Sequence, residues 1–139
     1  MKIYEFDTEK GIYKFELDQM KTEIHSHPVF EFMFSKNGGI NLEVSNQKYR
    51  NISLAIIEPN KPHKIEFKKA NIIVFMIECN VESLKKILLK FDMVLSQGIY
   101  ADNKTQERKE FIEEIIVEVC NTNMTIASDE RIQRCLNYL

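Results

Sequence analysis

Residues 25–39 read HSHPVFEFMFSKNGG, a run that holds two of the chain's three histidines, one glutamate and two of its four glycines among phenylalanines. On an extended strand, residues two apart share a face. His25 and His27 therefore project together, and Glu31 keeps their parity, while Phe30, Phe32 and Phe34 occupy the opposite face. Pro28 lies between, and because proline supplies no ladder donor it places an edge or a bend there. A strand apolar on both faces is buried on both, so one face is expected to look into a β-structure and the other to lie under a helix.

Outward from this stretch the front of the chain keeps the same character. KIYEF, GIYKFEL, FEFMFSK, INLEVS, SLAIIE, HKIEF and NIIVFMIE read as strands, and DTEKG, KNGG, VSNQ and EPNKP read as turns, with Gly38–Gly39 taken as a hairpin turn. Many short strands with close turn spacing predict a sandwich or barrel. After Cys79 the period becomes helical. Leu84, Ile87, Leu88, Phe91, Val94 and Leu95 recur at spacings of three and four, with Asn80 as the cap and Gly98 as the stop. A second helix is expected from about 103 to 120, with Phe111, Ile112, Ile115, Ile116, Val119 and Cys120 as its apolar stripe. ASDERIQRCLNYL begins a third, whose apolar face is still running at Leu139.

The bulk properties narrow the function classes. A chain of 139 residues, 44% hydrophobic and 29% charged, has the size and composition of one globular domain. The formal net charge of −2 supplies no electrostatic grip on a phosphate backbone, and Lys61, Lys64, Lys68 and Lys69 read as a solvated strand surface. Cys79, Cys120 and Cys135 show no CxxC spacing. Without an apolar leader core in MKIYEFDTEK or a run of about 20 apolar residues, the expected compartment is the cytoplasm. No GxSxG, P-loop, GxGxxG or HExxH pattern occurs.

His25, His27, Glu31 and the remaining histidine, His63 in PNKPH, are the candidate site. Two readings are open for it. One is a divalent transition metal centre for Zn, Fe, Mn or Ni with free positions for a ligand. The other is a hydrogen-bonded polar cluster without metal, in which the buried groups satisfy one another. In either case a small effector can be recognised beside it, with Met33 and Tyr49 as pocket-lining candidates.

HSHPVFEFMFSKNG is similar to the first motif of the cupin superfamily, with His25, His27, Glu31 and Gly38 at its HxH, Glu and Gly positions. PNKPH resembles the second motif, one residue shorter than the enzyme form, with Lys61 where glycine is usual and Phe67 where asparagine would stand. The order of the HxHxxxE stretch, the Gly turn, ISLAIIEPNKPH and NIIVFMIE resembles the amino-terminal sensor domains of AraC-type transcription regulators, and RIQRCLNYL resembles the opening helix of their DNA-binding half. The resemblance implies a mainly β fold, a cupin-type barrel (double-stranded β-helix, jelly roll) followed by C-terminal α-helices. It implies a barrel sensor over 1–79, a helical dimerisation segment over 80–127, and over 128–139 the start of a helix leading to a DNA-binding domain that is not in this sequence. The implied function is effector sensing and homodimerisation, not catalysis, with Phe111, Ile112, Ile115, Ile116 and Val119 as dimer-interface candidates. The alternative is a small stand-alone metal-dependent cupin enzyme, an isomerase or dioxygenase.

Overall fold

Alternation along each strand sorts the side chains into two cores, and pairing register decides which core each joins. The computed structural model describes residues 2–7, 11–68, 71–104, 112–115 and 117–118. In chain order the strands are β1 (Lys2–Asp7), β2 (Ile12–Leu17), β3 (Met20–Lys21), β4 (Phe30–Ser35), β5 (Ile40–Val44), β6 (Gln47–Ile52), β7 (Leu54–Ile57), β8 (Lys64–Phe67) and β9 (Ile72–Ile77). Helix α1 (Val81–Leu89) and strand β10 (Ile99–Asp102) follow. One sheet has the order β1-β2-β9-β4-β7-β10, the other β3-β8-β5-β6.

The strands β2 to β9 are one long antiparallel hairpin wound up on itself. At its tip Val44 faces Gln47 across two residues, and working back from there β4 pairs with β7, β3 with β8 and β2 with β9. Successive pairs fall alternately into the two sheets, which makes the fold a jelly roll. This is the mainly β class expected from the sequence.

Between the sheets lie Phe15, Met33, Leu42, Ile57, Ile65, Phe67, Val74 and Met76, each at most 2% exposed. Every position of β4 and β7 is buried. Their second face, with Phe30, Phe32, Phe34, Leu54 and Ile56, packs under Leu84, Ile87 and Leu88 of α1 and under Ile112 and Ile115. The expectation of a strand buried on both sides, one of them against a helix, therefore holds. Among the described residues no helix is long and apolar enough to cross a membrane.

Four expectations are corrected. Gly38 and Gly39, both at positive φ, do not close a hairpin, because β4 and β5 belong to different sheets. They form the corner between them, where the Gly39 N–H donates to Asn51 Oδ1 at 2.8 Å. Helix α1 stops at Leu89 and does not reach Gly98. Asp92 takes a φ of 59°, the Met93 N–H returns to Leu88 O at 3.0 Å and the Asp92 N–H to Leu89 O at 3.1 Å, a Schellman-type ending that the period of three and four does not reveal. Gly98 instead forms, with Gln97, a tight turn with both φ positive between Ser96 and Ile99. That turn leads into β10, which pairs with β7, so the sheet extends past residue 79 into the segment expected to be helical. Strands β3, β6 and β10 were not expected at all.

Ile112 and Ile115, 3% and 0% exposed, are spent on the chain's own core and are not free to form a dimer seam. The side chains of Phe111, Ile116 and Val119, and the whole of 128–139, lie outside the described residues. Phe32→Ala is expected to cost about 3–5 kcal/mol of unfolding free energy. Val94→Ala, at a position 63% exposed, is expected to stay within about 0.5 kcal/mol. Urea denaturation of both variants separates the buried face of β4 from the stripe that the sequence alone extends to Val94.

Candidate metal centre

The winding of the hairpin brings the histidines together. Glu31 faces Ile57 across β4 and β7, and the same register carried beyond those strands sets His25 opposite His63. That bridge is closed by two backbone bonds, His25 N–H to His63 O at 2.9 Å and His63 N–H to His25 O at 2.8 Å. Here the chain crosses from the four-stranded sheet to the six-stranded one through 22–29 and returns through 58–63, so the two crossings run side by side. A third bond, Asn60 N–H to His27 O at 2.6 Å, holds them. Glu31 is on the β4 face that Met33 shares, between the sheets.

All four side chains point to one place. The donor nitrogens of His25, His27 and His63 lie within 4.8 Å of one another. His25 Nε2 and His27 Nε2 are 3.1 Å apart, Glu31 Oε1 is 3.1 Å from His63 Nε2 and 3.7 Å from His27 Nε2. His27, Glu31 and His63 are buried, and His25 forms the partly exposed side. Two of the imidazoles are oriented from behind by the backbone: His25 Nδ1 lies 2.9 Å from Glu23 O and His63 Nδ1 2.7 Å from Lys61 O. A carbonyl can only accept, so both Nδ1 atoms carry hydrogen and both Nε2 atoms face the cluster, where His63 Nε2 meets the Glu31 carboxylate. The backbone thus supplies the support that metal-ligating histidines require.

At the His25–His27 contact His27 Nε2 can donate to His25 Nε2, so those two rings satisfy one another without a cation. Burial alone would raise the Glu31 carboxyl and lower His63. The hydrogen bond between them, with the charges of the neighbouring histidines acting on Glu31, outweighs burial, so Glu31 stays below its ordinary value and His63 above its own. Both displacements favour the charged forms of Glu31 and His63. Burial takes His27 down to about 4, opposed by Glu31 and reinforced by His25 and His63.

The His25–His27 pair has the spacing of two metal ligands, while the three histidine donors spread over as much as 4.8 Å. Ligand nitrogens about 2.1 Å from a metal in tetrahedral or octahedral order lie about 3.0–3.4 Å from each other, and the His25–His27 separation falls in that range. Three imidazoles and a carboxylate suit Zn, Fe, Mn or Ni, and a bound ion would act there as a Lewis acid toward a ligand oxygen.

The pocket-lining pair does not share a cavity. Met33 is fully buried in the core between the sheets. Tyr49 borders a shallow hollow of about 210 Å³ on the four-stranded sheet with Asn41, Lys48, Arg50, Lys64 and Glu66, and its hydroxyl donates to Gln47 Oε1 at 2.6 Å. Sequence reasoning named the four cluster residues but not Asn60, Glu23 or Lys61, which position them through backbone atoms and so leave no side-chain signature.

No protein-family model matches the chain, and no curated protein does. Among solved structures it is similar to ToxT from Vibrio cholerae, at 13% identity and a TM-score of 0.44, over 84% of this chain and 58% of that one. It is similar also to a cupin-2 domain containing protein from Shewanella frigidimarina, at 14% identity and a TM-score of 0.37, over 49% of this chain and 69% of that one. At these values neither likeness assigns a family or an activity.

The shifted groups predict a pH profile for the metal-free protein. His27 refuses a proton in the folded chain down to about 4, while the unfolded chain accepts one near 6.5, so stability is lost as the pH falls through that window. His63 has the opposite sign: its contribution is complete below 6.5 and is lost as the pH rises through its raised value. His27→Gln is expected to flatten the fall in urea midpoint between pH 6.5 and about 4, measured with chelator present. An unchanged slope would show that His27 takes its proton in the folded state.

Proposed function

We propose that this chain is the ligand-sensing domain of a transcription regulator, and that its ligand is organised by a divalent transition metal ion on His25, His27, Glu31 and His63. The observation that carries the metal is the convergence of three Nε2 atoms and Glu31 Oε1, with two imidazoles fixed from behind by backbone carbonyls. His25 Nε2 and His27 Nε2 share a hydrogen bond at 3.1 Å, so the preference for a metal over the hydrogen-bonded cluster rests on the convergence of the donors alone. The partly exposed His25 side is where an effector oxygen would reach the ion.

What supports regulation over catalysis is the resemblance to AraC-type sensor domains in motif order and in the short PNKPH turn, together with RIQRCLNYL at the end. Sensing then means that the effector binds two arrangements of barrel and helices with different affinity. Homodimerisation is part of this reading, without Ile112 and Ile115 in the seam. Light scattering at micromolar concentration is expected to give twice the 16.4 kDa chain mass, and a monomer there would remove the dimer.

The metal is tested by titrating zinc into untagged, chelator-stripped protein. One equivalent is expected to bind, raising stability by about 2.7 kcal/mol at a free concentration 100 times the dissociation constant, and His27→Ala or His63→Ala should abolish it. No binding would leave the hydrogen-bonded cluster as the correct description. The same donors suit the enzyme alternative. The metal-loaded protein is expected to show thermal shifts with small polar metabolites and no turnover of them; turnover that is lost in His63→Ala would establish the isomerase or dioxygenase instead.

A further inference from the structure

The return crossing, EPNKPH at 58–63, is held at its two ends by different parts of the molecule. Toward the cluster, Asn60 N–H donates to His27 O at 2.6 Å, Lys61 O receives the His63 Nδ1 hydrogen at 2.7 Å, and His63 is bridged to His25. Toward the helical layer, Glu58 N–H donates to Gly98 O at 2.9 Å, and Glu58 Oε1 lies 3.5 Å from Lys85 Nζ on α1. The Glu58 side chain fills the space beside Gly98: a Cβ there would come within 2.6 Å of Glu58 Oε2 and 3.4 Å of Lys61 Cδ.

Between these ends the loop is stiff. Pro59 and Pro62 fix two φ angles, Asn60 is held at a φ of 64°, and Lys61 N–H closes a turn on Glu58 O at 3.3 Å. Few soft dihedrals remain to absorb a displacement of His63. A shift at the cluster therefore reaches Glu58, and through it α1 and the turn that opens β10.

We propose that residues 58–63 are a strut that passes the state of the histidine cluster to helix α1, with Glu58 as the positioning residue at its far end. The proposal deepens the sensing reading and rests on it only for the ligand. It gives that reading a physical route from the site to the helical layer, through the backbone and side chain of one short loop. Lys85 and Glu58 are each partly exposed, so their ion pair by itself adds little to global stability. Its effect is local, on the ordering of α1.

Amide hydrogen exchange of residues 81–89 in the full chain, referred to residues 72–77 of β9, is the test. In metal-free protein, His63→Gln is expected to speed exchange in 81–89 by about threefold, Glu58→Ala to do the same, and the double variant to be no faster than either single one. Zinc is expected to slow exchange in 81–89 of the unsubstituted protein and to lose that effect in Glu58→Ala while still binding with the same stoichiometry. Unchanged exchange in 81–89 of His63→Gln, additive effects in the double variant, or equal acceleration in 72–77 would each overturn the strut. If zinc does not bind at all, the metal reading falls alone, and the metal-free cycle decides the strut.

Discussion

The antiparallel register about the Val44–Gln47 tip is the constraint on which the rest of this molecule depends. Antiparallel pairing runs from β5 and β6 back through β4 with β7 and β3 with β8, its register shifting at a bulge in β5/β6 and again where the strands change sheet, and it fixes which residues meet across the roll. A slip of one residue would turn every inward side chain outward. It would carry Glu31 from the interior to the helix-covered face and part His25 from His63. The burial of Leu42, Ile65, Phe67, Met33 and Val74 between the sheets is what opposes such a slip. The geometry of the polar site is thus a by-product of apolar packing some distance from it.

Two-sided burial of the central strands has a second consequence. Because β4 and β7 have no face toward water, α1 and the helical residues at 112 and 115 are structural covers for Phe32, Leu54 and Ile56. Residues that would serve a dimer in an uncovered helix are consumed here. Among the described residues, the large apolar side chains left exposed on this layer are Leu89, Val94 and Val117. The cover is also pinned at its edges, through Lys90 to Glu118 at 3.0 Å and through Lys85 to Glu58.

The cluster itself shows how backbone hydrogen bonds can gather histidines from two loops about one carboxylate. Backbone carbonyls of Glu23 and Lys61 take the outer hydrogens of His25 and His63, and this turns the Nε2 atoms of both rings into the cluster. In the buried interior each inner nitrogen needs a partner, and His27 and Glu31 supply one to His25 and to His63. The lowered Glu31 and the raised His63 follow from the hydrogen bond between them, which favours both charged forms against burial. A divalent ion at these atoms would compete with protons for them, which would make its occupancy dependent on pH.

Much of this was legible in the chain itself. The alternation of FEFMFS determines a strand buried on both faces, and the parity of His25, His27 and Glu31 determines that they share one, because side-chain direction along a strand is a local property with a period of two. The helical period after Asn80 determines α1 in the same way, and Asn80 does accept the Ser83 N–H. Local pattern fails where a long-range partner decides. Strand β10 has only four residues and forms because β7 offers it an edge; β6, with Lys48, Arg50 and Asn51, forms because the tip of the hairpin folds it onto β5. The end of α1 depends on a left-handed residue that is not glycine, Asp92. The meeting of His63 with His25, across 37 intervening positions, was suggested by residue type alone. Only the tertiary structure decides it, since the two are joined by a pairing register that no local run of residues contains.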